Sequence, residues 1–163
     1  MIRGDKMLSK ESLSSEELLK LHKKVSQLCG FKIGNGFYAI SVLEVQEVIR
    51  PQPLTHVPSA PDYVRGLINL RGQIVTAISL RSLFGLKDDH RDEYMNIIVR
   101  SGDSLYSLIV DEILDVIDVE DSTFENTPET LDEKIKRFIN GVYKLDHKLL
   151  ILLDLEKILN VEN

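Results

Sequence analysis

Four histidines, one cysteine and 26 acidic side chains are the groups in this chain that could move protons, attack a substrate or hold a metal. His22, His56, His90 and His147 stand in unrelated contexts, and none forms a His-x-x-x-His or His-x-Glu pair. Such spacing is what delivers two ligands to one zinc ion. Cys29 lies between Leu28 and Gly30 in a strand-like segment, where a small buried hydrophobe is expected rather than a nucleophile. The chain has no Gly-x-Ser-x-Gly elbow and no phosphate-cradling glycine loop. Asp111, Glu112, Asp115, Asp118, Glu120 and Asp121 form an acidic run, with no lysine or arginine between Ser101 and Glu133. A calcium loop needs a glycine bend and carboxylates at alternate positions. Apolar residues interleave here instead, so a solvated acidic face is expected. Catalysis, a metal and a cofactor are not expected.

The segment Gly66-Leu67-Ile68-Asn69-Leu70-Arg71-Gly72-Gln73-Ile74-Val75 suits binding better than turnover. Residues i and i+2 of a strand share a face, so Asn69 and Arg71 are expected to project together, with Gly72 reversing the chain. The second half of the chain has Lys144, Asp146 and His147 at the matching places. An arginine needed only to build a hairpin should not be replaceable by aspartate, so Arg71 points to a surface role.

The elements that hold these residues can be read from periodicity. Residues 1–27 form a separate tail. Ser14 and Glu17 have capping-box spacing, and Leu18, Leu21, Val25 and Leu28 recur at helical intervals, with Lys20, Lys23 and Lys24 between them. A short amphipathic helix docked on the protein's own body is expected. Strand character starts at Leu28. Leu28–Ile33 and Phe37–Val42 flank the turn Gly34-Asn35-Gly36. Val42, Val45, Val48 and Ile49 fit one or two helical turns before Pro51. Pro51, Pro53, Pro58 and Pro61 stiffen the next loop. Gly66–Leu70 and Ile74–Leu80 read as strands, Leu80–Leu86 as a short helix, and Lys87–Glu93 as a charged loop.

The second half repeats the first. Phe37–Ile49 lies over Leu105–Ile117 at an offset of 68 residues, with identities at five places, and Glu47 aligns with Asp115. Tyr63–Phe84 lies over Phe138–Leu159 at an offset of 75, matching Gly66 with Gly141, Leu70 with Leu145 and Leu80 with Leu155. An internal duplication of an all-β unit follows, with units near 28–86 and 94–160 inside one domain spanning 28–163. A unit this small buries too little to stand alone, so the two should share a core. Leu149–Leu153, apolar on both faces, is expected at their junction.

With 163 residues, 43% hydrophobic and 28% charged, the chain reads as a soluble, folded protein. No apolar run approaches the 20 or so residues of a membrane span, and no secretory signal is visible. A net charge of -6 disfavours nucleic acid as a partner. A single cysteine suits the cytoplasm.

Phe37–Ile49, Pro58-Ser59-Ala60-Pro61-Asp62-Tyr63-Val64-Arg65-Gly66, Asn69-Leu70-Arg71-Gly72 and Phe138–Leu155 together resemble the CheW family of chemotaxis coupling proteins, in order over roughly residues 28–160. The resemblance implies a mostly β fold of two SH3-like five-stranded barrels with exchanged strands. It implies a non-enzymatic adaptor without a cofactor, cytoplasmic and recruited to membrane receptor arrays. Its implied partners are the cytoplasmic tip of chemoreceptors (methyl-accepting chemotaxis proteins) and the regulatory domain of a CheA-type histidine kinase. A paralogous CheA-like pathway for pilus motility or gene regulation is the alternative. The family's V-x-E falls on Val45 and Glu47, and its N-L-R-G on Asn69, Leu70, Arg71 and Gly72; Val45, Glu47, Asn69, Arg71 and Gly72 are the implied partner-binding residues. Thr76 and Ser79 replace the family's usual proline and aspartate. Thr76 restores a backbone donor that proline lacks.

Overall fold

From residue 25 onward short apolar runs recur between turn and loop residues, and the described residues build two sheets from them. The structure, a computed structural model, describes residues 14–15, 25–87 and 92–160. Nearly all of the expected N-terminal helix, the middle of the Lys87–Glu93 loop, and His22 and His90 lie outside the described residues. In chain order the elements are β1 (Val25–Ile33), β2 (Gly36–Ser41), β3 (Val45–Ile49), β4 (Val64–Leu70), β5 (Gln73–Ser79) and α1 (Leu80–Leu83). These are followed by β6 (Met95–Ser101), β7 (Ser104–Val110), β8 (Glu112–Glu120), β9 (Phe124–Glu125), α2 (Glu133–Lys136), β10 (Ile139–Leu145), β11 (Lys148–Leu153) and α3 (Leu155–Leu159).

Two readings of periodicity are corrected. Val25 and Leu28, counted in a helical stripe, belong to β1, because β8 offers both a ladder: Val25 pairs with Glu120 and Leu28 with Ile117. Val42–Ile49 is not a helix beyond one 3-10 turn, Val42–Glu44; Val45–Ile49 is strand β3. A bulge between Val45 and Glu47 places an extra residue, Gln46, in this strand. The bulge gives Val45 and Val48 the three-residue spacing of a helix while the backbone stays extended.

One sheet runs β8-β1-β2-β11-β10-β9 and the other β3-β6-β7-β5-β4. Replacing each strand by its counterpart in the other half turns the first five strands of one order into the other. The parallel pair β2·β11 becomes the parallel pair β7·β5, and the bulge of β1·β8 becomes that of β3·β6. The duplication is thus present in hydrogen bonding as well as in residue identities. No sheet is built from one half: each takes strands from both, so repeat and barrel are different units. Each sheet is closed by the chain that leaves its own edge. Asp121–Thr123 carries β8 into β9 on the far side of β10, and the segment after β3 reaches Thr55, which bridges to Leu67 of β4.

Gly66 and Gly141 sit where these closing segments cross. Each lies at a bulge, and a Cβ on either would stand 2.6 Å from a carbonyl oxygen, that of Thr55 or of Glu125. The caps repeat as well. The Ser79 side chain accepts from Ser82 N at the start of α1, and the Asp154 side chain accepts from Lys157 N at the start of α3. Ser79 N donates to the Tyr63 carbonyl as Asp154 N donates to that of Phe138. Serine, where the resemblance implies aspartate, therefore keeps the N-cap. Thr76 pairs with Leu67 on one side and Tyr106 on the other, so β5 continues unbroken through the position where the resemblance implies proline.

Among the described residues three apolar clusters form the core. One belongs to each barrel: Ile68, Val75, Ala77 and Ile98 in one, Leu28, Ala39, Tyr143 and Leu150 in the other. The largest, including Phe31, Tyr38, Phe84, Leu108 and Phe138, takes residues from both halves and both sheets. Leu149–Leu153 separates two of them. Ile151 and Leu153 join the shared core while Leu150 and Leu152 join the barrel interior, which is why this run is apolar on both faces.

Cys29 packs in the shared core, and burial pushes its thiol above the ordinary range. Above about pH 9 the unfolded chain loses this proton while the folded chain retains it. The unfolded state then binds fewer protons, so stability is expected to fall as pH rises past that point. At pH 8 alkylation of Cys29 is expected to be slower in the folded chain than in denaturant by about 100-fold or more. Equal rates would place the thiol at the surface.

Candidate partner-binding surface

The implied site residues divide between two sides of β3. The bulge at Gln46 sets Val45 opposite Val99, toward the shared core, and Glu47 opposite Ile98, on the side of its barrel interior. Glu47 is paired with Arg71 across the barrel, its Oε2 accepting from the guanidinium Nη2. β3 and β4 are the two outer strands of their sheet, so this ion pair ties together edges that the ladder itself leaves apart.

Arg71 and Gly72 form the two-residue loop between β4 and β5, with φ of 50° and 86°. Positive φ at both central residues is the pattern of a type I′ turn, whose twist matches the flanking strands. An arginine in that conformation is uncommon and mildly strained. Asn69 Oδ1 accepts from Gly72 N at 2.9 Å, so this side chain pins the turn. Asn69 and Arg71 therefore do not project side by side as expected. Asn69 closes the loop from β4, and Arg71 leaves from the loop itself. Its side chain is 68% exposed against 29% for Glu47. An ion pair this exposed adds about 0–1 kcal/mol to stability. Its effect is geometric: Glu47 holds one nitrogen and so fixes the direction of the planar fork.

Exposed apolar side chains adjoin these residues. Ile74, paired across the hairpin with Asn69, is 62% exposed. Leu43, in the 3-10 turn before β3, is 95% exposed. It lines a groove of about 510 Å³ with Val45, Gly102, Leu155 and Leu159. Neither Leu43 nor Ile74 has a residue type that marks it in the sequence. For Ile74 the signal is its apolar neighbour Val75, because only one member of such a pair can face inward in an extended chain; Leu43, in a 3-10 turn, has no such signal.

The acidic run departs from a solvated face at Asp111 and, in part, at Glu120, which is half-buried. Asp111 is not part of a solvated face: both its oxygens accept from Arg81, at 2.8 Å and 2.7 Å, and Oδ2 also accepts from Gly34 N at 2.7 Å. These bonds join the β1–β2 turn, α1 and the end of β7 into one partly buried node. Glu112, Asp115, Asp118 and Asp121 are exposed, as expected.

Comparison with known proteins bears on the chain as a whole. Residues 27–163 match the CheW-like domain. The chain is 34% identical over 139 residues to Chemotaxis protein CheW of Helicobacter pylori, covering 85% of this chain and 84% of that protein. It is 27% identical over 123 residues to Protein PilI of Pseudomonas aeruginosa, covering 75% and 69%. The scaffolding protein TtCheW from Thermoanaerobacter tengcongensis superposes with a TM-score of 0.73 at 28% identity, covering 81% of this chain and 86% of that one. A duplicated pair of interleaved barrels, an N-L-R-G hairpin paired to V-x-E, and these likenesses along most of its length place this chain in the CheW-like domain family.

Proposed function

We propose that this chain is a non-enzymatic adaptor that couples the cytoplasmic tip of chemoreceptors to the regulatory domain of a CheA-type histidine kinase. The proposal places it in the cytoplasm, recruited to receptor arrays at the membrane. Among the described residues no helix is long and apolar enough to cross a membrane. The observation that carries the reading is the exposed Arg71 fork, oriented by Glu47 and flanked in its hairpin by exposed Ile74. A fixed planar donor beside apolar surface suits a helical hairpin that offers carboxylates and carbonyls along an apolar stripe. Val45, Glu47, Asn69, Arg71 and Gly72 are assigned to partner binding, with Asn69 and Gly72 acting by shaping the turn. The likeness to Protein PilI supports a second reading, service in a paralogous CheA-like pathway.

Glu47→Lys tests the site. Reversing this charge sets two cations against each other at the exposed pair. Affinity for the receptor tip or the kinase domain is expected to fall by about tenfold, with folding stability changed by less than about 0.5–1 kcal/mol. Unchanged affinity for both partners removes Glu47 from the site.

A further inference from the structure

Asn96 and Ser107 are fully buried polar residues in the interior of one barrel. Ser107 Oγ donates to Asn96 Oδ1 at 2.6 Å, and Asn96 Nδ2 donates to the Arg50 carbonyl at 3.1 Å. At the offset of 68 residues their counterparts are Leu28 and Ala39, both buried in the other barrel. The same fold is therefore built there with an apolar pair. A satisfied buried polar pair contributes little net stability compared with well-packed apolar residues, so the barrel does not require it.

What differs between the two barrels is the strand that faces this pair. β8 continues through Ile117 to Glu120, paired with β1 as far as Val25. β3 ends at Ile49, the residue opposite Asn96, and Pro51 follows two residues later with no N–H to give. The Arg50 carbonyl leaves the ladder there, and the Asn96 side chain meets it. From that point the chain runs out to Thr55, which closes the barrel.

We infer that Asn96 and Ser107 are positioning residues for the partner surface. They clamp the end of β3 through the Arg50 carbonyl, and so hold Glu47, three residues earlier, where it orients Arg71. Their role in binding rests on the adaptor reading above; their role in fixing β3 does not.

The test installs the apolar pair of the other barrel, Asn96→Leu with Ser107→Ala, in the full chain. A single cooperative melt is expected, with faster deuterium uptake confined to peptides covering residues 45–55. Affinity for the receptor-tip or kinase fragment is expected to fall by about fivefold or more, and Arg71→Ala should cost less in this background than in the parent. Unchanged uptake overturns the clamp. Faster uptake with unchanged affinity overturns its role in binding. Ser107→Ala alone is the second variant, since it removes the donor that holds the Asn96 oxygen. The same local uptake supports the clamp, whereas global loss of cooperativity in both variants makes the pair a requirement of the fold and overturns it. A parent chain that binds neither fragment rejects the adaptor reading, and the uptake comparison still decides the clamp.

Discussion

Arg71→Ala is expected to weaken binding by roughly thirty-fold, about 2 kcal/mol, while leaving the melting temperature nearly unchanged. The two effects separate because of where the side chain sits. Arg71 is mostly exposed, and its one ion pair is worth at most about 1 kcal/mol to the fold. Removing it also relieves nothing in the backbone, since alanine must take the same positive φ. At an interface the same fork would be desolvated, where charge-assisted bonds are stronger. Arg71→Lys should recover only part of the binding, because an ammonium keeps the charge but not the planar donors. The check is a thermal melt alongside titration with receptor and kinase fragments separately. Folding lost together with binding would mean that the Glu47–Arg71 pair braces the barrel edges. Both properties retained would remove Arg71 from the site.

Gly66→Ala is expected to cost about 3 kcal/mol of stability, which for a chain of this size lowers the melting temperature by about 6–12 °C. Two causes act together. Gly66 has φ of 149°, a conformation other residues rarely adopt, and a Cβ would stand 2.6 Å from the Thr55 carbonyl oxygen. The obstructing atom is backbone, in the segment that closes the barrel, so it cannot swing aside. Gly72→Ala is the control. That glycine also has positive φ, but nothing lies within 4 Å of a Cβ there, so only the backbone preference, about 1 kcal/mol, is lost. Equal melting temperatures for the two variants would show that crowding at Gly66 is relieved by movement of the Thr55 segment.

Much of this fold is legible in the chain itself because it is written twice. Gly66 over Gly141 and Leu80 over Leu155 mark the same bulge and the same cap in both halves. What the repeat cannot show is which strands pair. β2 lies beside β11 and β7 beside β5, and both contacts cross between halves. The bulge at Gln46 hides β3, since an inserted residue turns a strand's two-residue period into a helix-like three. Asp111 looks like its acidic neighbours because its partner Arg81 is 30 residues away. In the site, Arg71 and Glu47 can be picked out by type and by resemblance, but their pairing depends on barrel closure. Leu43 and Ile74 carry no chemical signature: the pair Ile74-Val75 calls for one outward side chain, and only exposure marks Leu43.

The central claim is that this protein couples two partners, and one titration tests it most directly. The full chain is titrated calorimetrically with a chemoreceptor tip fragment, with the regulatory domain of a CheA-type kinase, and with each after saturation by the other. Binding to each partner is expected at micromolar affinity or tighter, about -8 kcal/mol, with a ternary complex formed when both are present. Binding to neither, or competition that lets only one partner bind at a time, would contradict the adaptor reading.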